Sequence, residues 1–340
     1  AYRKFSQTAG NWSSEDHFNF AEVLLTLKDY AGAIREYQKM RAQPSTAEWV
    51  QEKIWRISNL AYLYEDSIHL AVRGLAINSP FAEWCGRTQE NGIMFLSNAS
   101  KGEVIQKVDA ATNQNFFSFF HSKQVTDTLL DGWGRMFNRP ERLPEMLNAK
   151  GNLGGFCFYK NNTQLVFTSS TGRTNRSGII PLGLFFASKV SGKWVITNEY
   201  EYNSTIWSVT NPWIDPTGEI LYFASNRNDG FGGYDLYVSH FNKTWSEPKN
   251  LGANINSPWD EQHPWWNSGS LFFASNGHAG LGGFDLYQTQ LGQDQQPVNM
   301  GYPINSEFDD FAISFTDSLS THGFLSSNRK RGGLDDDLYE

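Results

Sequence analysis

The stretch "FASNRNDGFGGYDLY" runs from Phe223 to Tyr237, and fifty residues later the chain reads "FASNGHAGLGGFDLY", Phe273 to Tyr287. A looser copy, "FLSSNRKRGGLDDDLY", Phe324 to Tyr339, closes the sequence. Each copy is an apolar strand, a glycine-rich turn and a strand that opens on an acid. No other feature constrains the fold as much, because a unit repeated at this interval must bury its faces against its own copies.

The wider pattern extends the repeat. Asn78, Asn148, Asn203, Asn256 and Asn305 mark similar corners, at intervals of 70, 55, 53 and 49 residues. After each corner come a strand, a polar turn and a second strand: "GIMFLSN", "QLVFTSS", "EILYFASN", "SLFFASN" and "THGFLSSN". A fourth strand is visible where Trp194 and Trp245 each fall eight residues after an aromatic, Phe186 and Tyr237. Four short antiparallel strands repeated at about 40 to 50 residues are the signature of a β-propeller blade. The aromatic content of 15% suits strands covered on both faces.

Within the motif, Gly232-Gly233 and Gly282-Gly283 are expected to reverse the chain with positive φ. Asp235, Asp285 and Asp337 are expected to accept turn N–H groups at the start of the third strand. The motif then reads as architecture. The last copy has three strands before Glu340, and a fourth-strand pattern stands upstream in "HLAVRGLAINS", His69 to Ser79. That predicts a clasp and five blades, or six if Lys101 to Leu147 holds another. Phe116 to Phe120 reads as a strand, and Asp127 to Leu147 as an inserted excursion.

The beginning is different. Phe20, Val23, Leu24 and Leu27, then Tyr30, Ala33, Ile34 and Tyr37, follow helical spacing, and a third run holds Trp49, Ile54 and Ile57. The pattern resembles a tetratricopeptide repeat. The fold expected is mainly β with an N-terminal α region. Tetratricopeptide-like helical hairpins occupy residues 1–65, and a propeller of five four-stranded blades, or six, occupies 66–340, its ring closed near 69–79.

Chemistry is harder to find. The seven His form no HExxH, and no GxSxG is present. "GFGGYD" is followed by a strand and lacks the Lys-Ser/Thr of a phosphate loop. Asn226 to Asp235 and Asp335 to Asp337 read as polar turns rather than calcium sites. Hence no catalytic residue, cofactor or metal is assigned. Cys85 and Cys157 read as free core thiols; a disulfide would need an oxidising compartment. A net charge of -8, from 28 basic and 36 acidic residues, argues against nucleic acid as a partner. The most site-like stretch is "SPWDEQHPWW", Ser257 to Trp266. Trp259, Trp265 and Trp266 could stack on a sugar or anchor a partner, with Asp260 and Glu261 supplying hydrogen bonds. The competing reading packs these rings between blades, since Trp84, Trp207 and Phe308 occupy matching places.

The blade phrases resemble the WD40-like repeats of TolB-type propellers. Together with the helical start and "YEDSIHLAVRGLAINSPFAEW", they resemble Bacteroidota envelope proteins of the PorE type. The resemblance implies a periplasmic, outer-membrane-associated scaffold without enzymatic activity, in a type IX secretion or gliding assembly. It implies partners among envelope proteins, such as an outer-membrane barrel of PorP/SprF type, with Asp127 to Lys150 as the loops to search for partner specificity. Peptidoglycan would be bound only through an OmpA-type domain beyond these residues. The alternative is a propeller that binds a glycan or small ligand in its central channel. A third reading, a propeller glycosidase or lyase, requires carboxylates or His converging at the inner strands, and the sequence identifies none.

Overall fold

A computed structural model describes residues 12–27, 29–40, 47–58, 62–64, 69–99, 114–125, 135–143, 151–175, 178–292, 296–331 and 335–340. Three helices come first: α1 (Ser14–Thr26), α2 (Tyr30–Met40) and α3 (Ala47–Ser58). Ser13 and Asp16 form a reciprocal cap at the start of α1, each side chain accepting the other's main-chain N–H. Asp29 accepts from Gly32 N at 3.0 Å and opens α2.

Five antiparallel sheets follow. Blade 1 is β1 (Glu83–Gln89), β2 (Gly92–Ser97), β3 (Ser118–Lys123) and β4 (Glu141–Arg142). Blade 2 is β5 (Leu153–Tyr159), β6 (Gln164–Ser170), β7 (Leu182–Val190) and β8 (Lys193–Glu199). In blade 3, β9 (Val209–Ile214), β10 (Ile220–Ser225) and β11 (Asp235–Asn242) are followed by β12 (Thr244–Trp245) and β13 (Lys249–Asn250), both paired with β11. Blade 4 is β14 (Glu261–Asn267), β15 (Ser270–Ser275), β16 (Asp285–Thr289) and β17 (Val298–Asn299). Blade 5 is β18 (Asp310–Phe315), β19 (Gly323–Ser327) and β20 (Asp337–Tyr339). The chain is thus mainly β and forms a five-bladed propeller, as the repeat interval predicts.

No sixth sheet occurs among the described residues. Blade 1 absorbs the long interval, and Glu141–Arg142, within the expected excursion, is its outer strand. Much of Asp127 to Lys150 lies outside the described residues. Blade 5 has three strands, and an upstream segment bridges its outer edge at Gly74 and Tyr339. Arg73 and Glu340 exchange main-chain bonds of 2.8 and 2.9 Å, and Leu75 N donates to Leu338 O at 2.9 Å.

The repeated motif is an interblade joint. Tyr234 N donates to Asp260 Oδ1 at 2.7 Å, and Glu261 N donates back to Tyr234 O at 2.6 Å. Phe284 does the same with Asp309 and Asp310, at 2.9 and 2.6 Å. Here the expected role of the glycines is corrected. None of Gly232, Gly233, Gly282 and Gly283 has a left-handed φ. Their requirement is space: a Cβ on Gly232 would lie 2.3 Å from Trp259 O, and one on Gly282 2.0 Å from Phe308 O. On Gly233 and Gly283 it would lie 2.2 Å from the Asp260 and Asp309 carboxylates. Only a glycine lets each blade's turn sit this close to the next blade's main chain.

The acids hold the turn from within. Asp235 accepts from Phe231 N, Gly232 N and Asn250 Nδ2, and Asp285 accepts from Gly282 N. Asp337 is fully buried at the matching place. The corner asparagines act as false strands. Asn256 accepts from Leu236 N at 2.7 Å and donates to Leu236 O at 3.0 Å. Asn78, Asn203 and Asn305 grip Leu338, Leu184 and Leu286 in the same way. Asn148 lies outside the described residues.

Tetratricopeptide-like hairpins are not supported. The described helices are three and short, of 13, 11 and 12 residues. They form one apolar cluster around Phe18, Leu24, Tyr37 and Val50, and its further neighbour is blade 4 instead of another helical pair. Phe18 stacks on Trp259 with centroids 3.7 Å apart. Lys53, 1% exposed, donates to Glu22 at 2.6 Å and to Asn276 O at 3.1 Å. Among the described residues no helix is long and apolar enough to cross a membrane. Cys85 and Cys157 are buried free thiols.

Candidate functional site

The inner strand of each blade starts at a joint and then breaks register. In β1, β5, β14 and β18 the slip follows Trp84, Leu153, Gln262 and Phe311, and β9 carries the equivalent irregularity opposite Tyr222 and Ala224. At the slip the backbone turns left-handed on residues that are not glycine: Cys85 (φ 57°), Asn211 (φ 52°), His263 (φ 54°) and Ala312 (φ 52°). Bulges of this kind bend a strand and re-aim its side chains. Here they gather residues from all five blades around the ring axis.

The result is a pocket of about 390 Å³. Four rings line it: Trp84, Phe117, His263 and Phe311. Trp84 meets Phe117 and His263 edge-on at 5.8 and 5.6 Å, and His263 lies 5.0 Å from Phe311. Amide residues supply most of the polar wall: Gln114, Asn115, Asn152, Asn211 and Gln262, with Thr210 beside them. Asp336 is the carboxylate among the lining residues. Asn211 donates to Gln262 Oε1 at 2.9 Å and accepts from Gly155 N at 3.3 Å. That fixes both amides and leaves Gln262 Nε2 for a ligand. Gly155 is required here, since its Cβ would lie 2.8 Å from Asn211 Oδ1.

Arg87 sits deeper along β1. It is 5% exposed and donates to carbonyls of three inner strands: Phe156 O at 3.2 Å, Ala312 O at 3.1 Å and Gly86 O at 3.1 Å. Its guanidinium lies 4.7 Å from the Trp265 ring of blade 4, and Trp265 meets Trp213 of blade 3 at 6.5 Å. Arg87 thus reaches four of the five inner strands, and blade 3 joins them through Trp265 and Trp213. Burial, with Arg87 second, pushes His263 down from 6.5 to about 3. The imidazole is therefore neutral near pH 7, offering one donor and one acceptor.

The five residues picked out in the sequence are placed apart. Trp259 stacks on α1, and Asp260 is spent on the Tyr234 amide. Glu261 is fully buried and accepts from Ser257 N, Ser257 Oγ and Ser275 Oγ. Trp265 lies against Arg87, and Trp266 stacks on Tyr222 at 5.9 Å. From the same stretch the pocket takes Gln262 and His263 instead. A signal was available: "EW", "EQ" and "DF" at residues 83, 261 and 310 each pair a buried joint acid with a residue that lines the pocket. Among the described residues no group of His, Cys, Asp or Glu is arranged to hold a metal ion.

Neither a family model nor a curated protein matches the chain. Solved structures do. The RS223 β-xylosidase is 12% identical over 79% of this chain and 94% of its own, with a TM-score of 0.46. A thermostable family-43 glycoside hydrolase is 14% identical over 78% and 91%, with a TM-score of 0.46. An α-L-arabinofuranosidase from Lactobacillus brevis is 10% identical over 78% and 90%, with a TM-score of 0.41. None of the three is named as a secretion component, all being named as glycoside-cleaving enzymes, and the expectation of a non-enzymatic secretion scaffold is withdrawn. Likeness at this identity is one of fold and transfers no activity, so function must be read from the pocket's own residues.

Proposed function

We propose that this propeller binds a glycan, or a similarly polyhydroxylated small ligand, in the pocket at the end of its channel. One observation carries the reading: rings and amides from several blades converge on a single cavity of about 390 Å³. Aromatic faces cover the C–H faces of a sugar, and amides both donate to and accept from its hydroxyls. Trp84 is the central ring, and Asn211 and Gln262 are the amides held ready. The size lies in the range that buries most of a small ligand, about 300–1,000 Å³. The resemblance of the blades to PorE-type envelope proteins supports a periplasmic setting, where glycans are met.

Calorimetric titration with a panel of pentose and hexose oligosaccharides tests this. At least one should bind, and Trp84→Ala and Gln262→Ala should each weaken it about tenfold or more, as losing a stacking or hydrogen-bonding partner does. A reducing-end assay on the same mixtures reads whether the bound sugar is also cleaved. Binding indifferent to both substitutions, or none across the panel, contradicts the proposal.

A further inference from the structure

The hydrogen bonds along one wall of the pocket run in a single direction. They start at Gly155 N, a main-chain group that can only donate. It donates to Asn211 Oδ1 at 3.3 Å, so the Asn211 amide turns its oxygen to blade 2 and its nitrogen to blade 4. That nitrogen donates to Gln262 Oε1 at 2.9 Å, which fixes the second amide in turn. The sense of both amides is set by the network itself. Thr168 clamps the start of the relay: its hydroxyl accepts from Asn211 N at 3.0 Å and donates to Gly155 O at 3.0 Å. Thr168 is fully buried and Asn211 is 6% exposed, so the relay cannot turn over freely.

The relay ends on Gln262 Nε2. Among the described residues no protein acceptor meets this nitrogen. Its two N–H groups therefore face the ligand as donors only. A positive charge lies nearby. All the hydrogen bonds of Arg87 among the described residues go to main-chain carbonyls, of Gly86, Phe156, Ala312 and Ile313, and none to a carboxylate. Its field reaches the pocket wall, where it adds to burial in keeping His263 neutral. Asp336, the carboxylate among the lining residues, only accepts when ionised and so serves hydroxyls.

We propose that the ligand of this pocket is an acidic glycan, a sugar that carries a carboxylate, and that Gln262 is the residue that selects it. The inference rests on the glycan reading above and names the class of sugar. One N–H of Gln262 Nε2 meets the carboxylate and the other a hydroxyl oxygen of the same ligand. A hydrogen bond to an ionised acceptor is stronger than one to a hydroxyl, and the unneutralised guanidinium of Arg87 adds to the difference.

Calorimetry on the full chain with matched oligosaccharides of glucose and glucuronic acid, and of galactose and galacturonic acid, is the test. Within each pair the rings differ only in carrying a hydroxymethyl group or a carboxylate. The acidic member of at least one pair should bind about tenfold tighter or more, and raised salt should narrow that gap. Gln262→Glu keeps the acceptor for Asn211 and replaces the donors by a carboxylate oxygen. Asn211→Asp leaves no donor for Gln262 Oε1, so the Gln262 amide turns over and its oxygen faces the ligand. Both variants, checked for an unchanged thermal midpoint, should lose the preference for the acid. A wild type that binds the neutral member equally or more tightly overturns this inference and leaves the glycan site standing. An acid preference that survives both substitutions overturns the role of Gln262. No binding by any member overturns the inference together with the glycan reading.

Discussion

Burial raises Glu261 from 4.5 to about 8, against the opposing pull of the Ser275 and Ser257 hydrogen bonds. The folded chain then keeps a proton that the unfolded chain releases, so stability falls as pH rises from about 4.5 to about 8. The contribution is complete below that window and lost above it. Glu261→Gln keeps the shape and removes the titration. Thermal midpoints measured from about pH 5 to about pH 9 should fall less steeply in the variant than in wild type. Equal slopes would show that Glu261 ionises freely in the fold. The joint glycines make a steric prediction at the same scale. Gly282→Ala should cost about 1–3 kcal/mol in urea denaturation, because its Cβ meets main chain that cannot swing aside.

At the scale of elements, the clasp joins the two ends of the ring. Arg73→Pro removes the N–H that bonds Glu340 O, and should cost about 1–3 kcal/mol while speeding amide exchange at Glu340. Unchanged exchange there would mean that the ring does not depend on this strand. The clasp, the repeat period and the strands were legible because each is written in neighbouring residues. The glycines' reason was not, since the atoms that exclude a Cβ belong to Trp259 and Phe308, about 26 residues away in the next blade. The helices were legible from their spacing. Their partner was not, because an apolar stripe does not say whether it meets another helix or blade 4.

The whole molecule turns on its axis. Arg87 ties three inner strands together by hydrogen bonds and meets a fourth at Trp265, and Arg87→Met should leave buried carbonyls unpaired at a cost of roughly 3 kcal/mol. It should also raise the His263 pKa, which the guanidinium helps to depress, as read by NMR titration. The site itself was poorly legible. Each blade gives the pocket one or two residues at a bulge, so no local motif announces it. The tryptophan-rich stretch drew attention to Trp259 and Trp266, which pack against other rings, while three of the four lining rings, Trp84, Phe117 and Phe311, come from other blades. The central claim is a glycan site at the end of the channel. A crystal structure with the tightest oligosaccharide from the panel tests it most directly. The account predicts a sugar ring against Trp84 with its hydroxyls bonded to Gln262 and Asn211. A sugar bound elsewhere on the propeller, with this pocket holding only water, would contradict it.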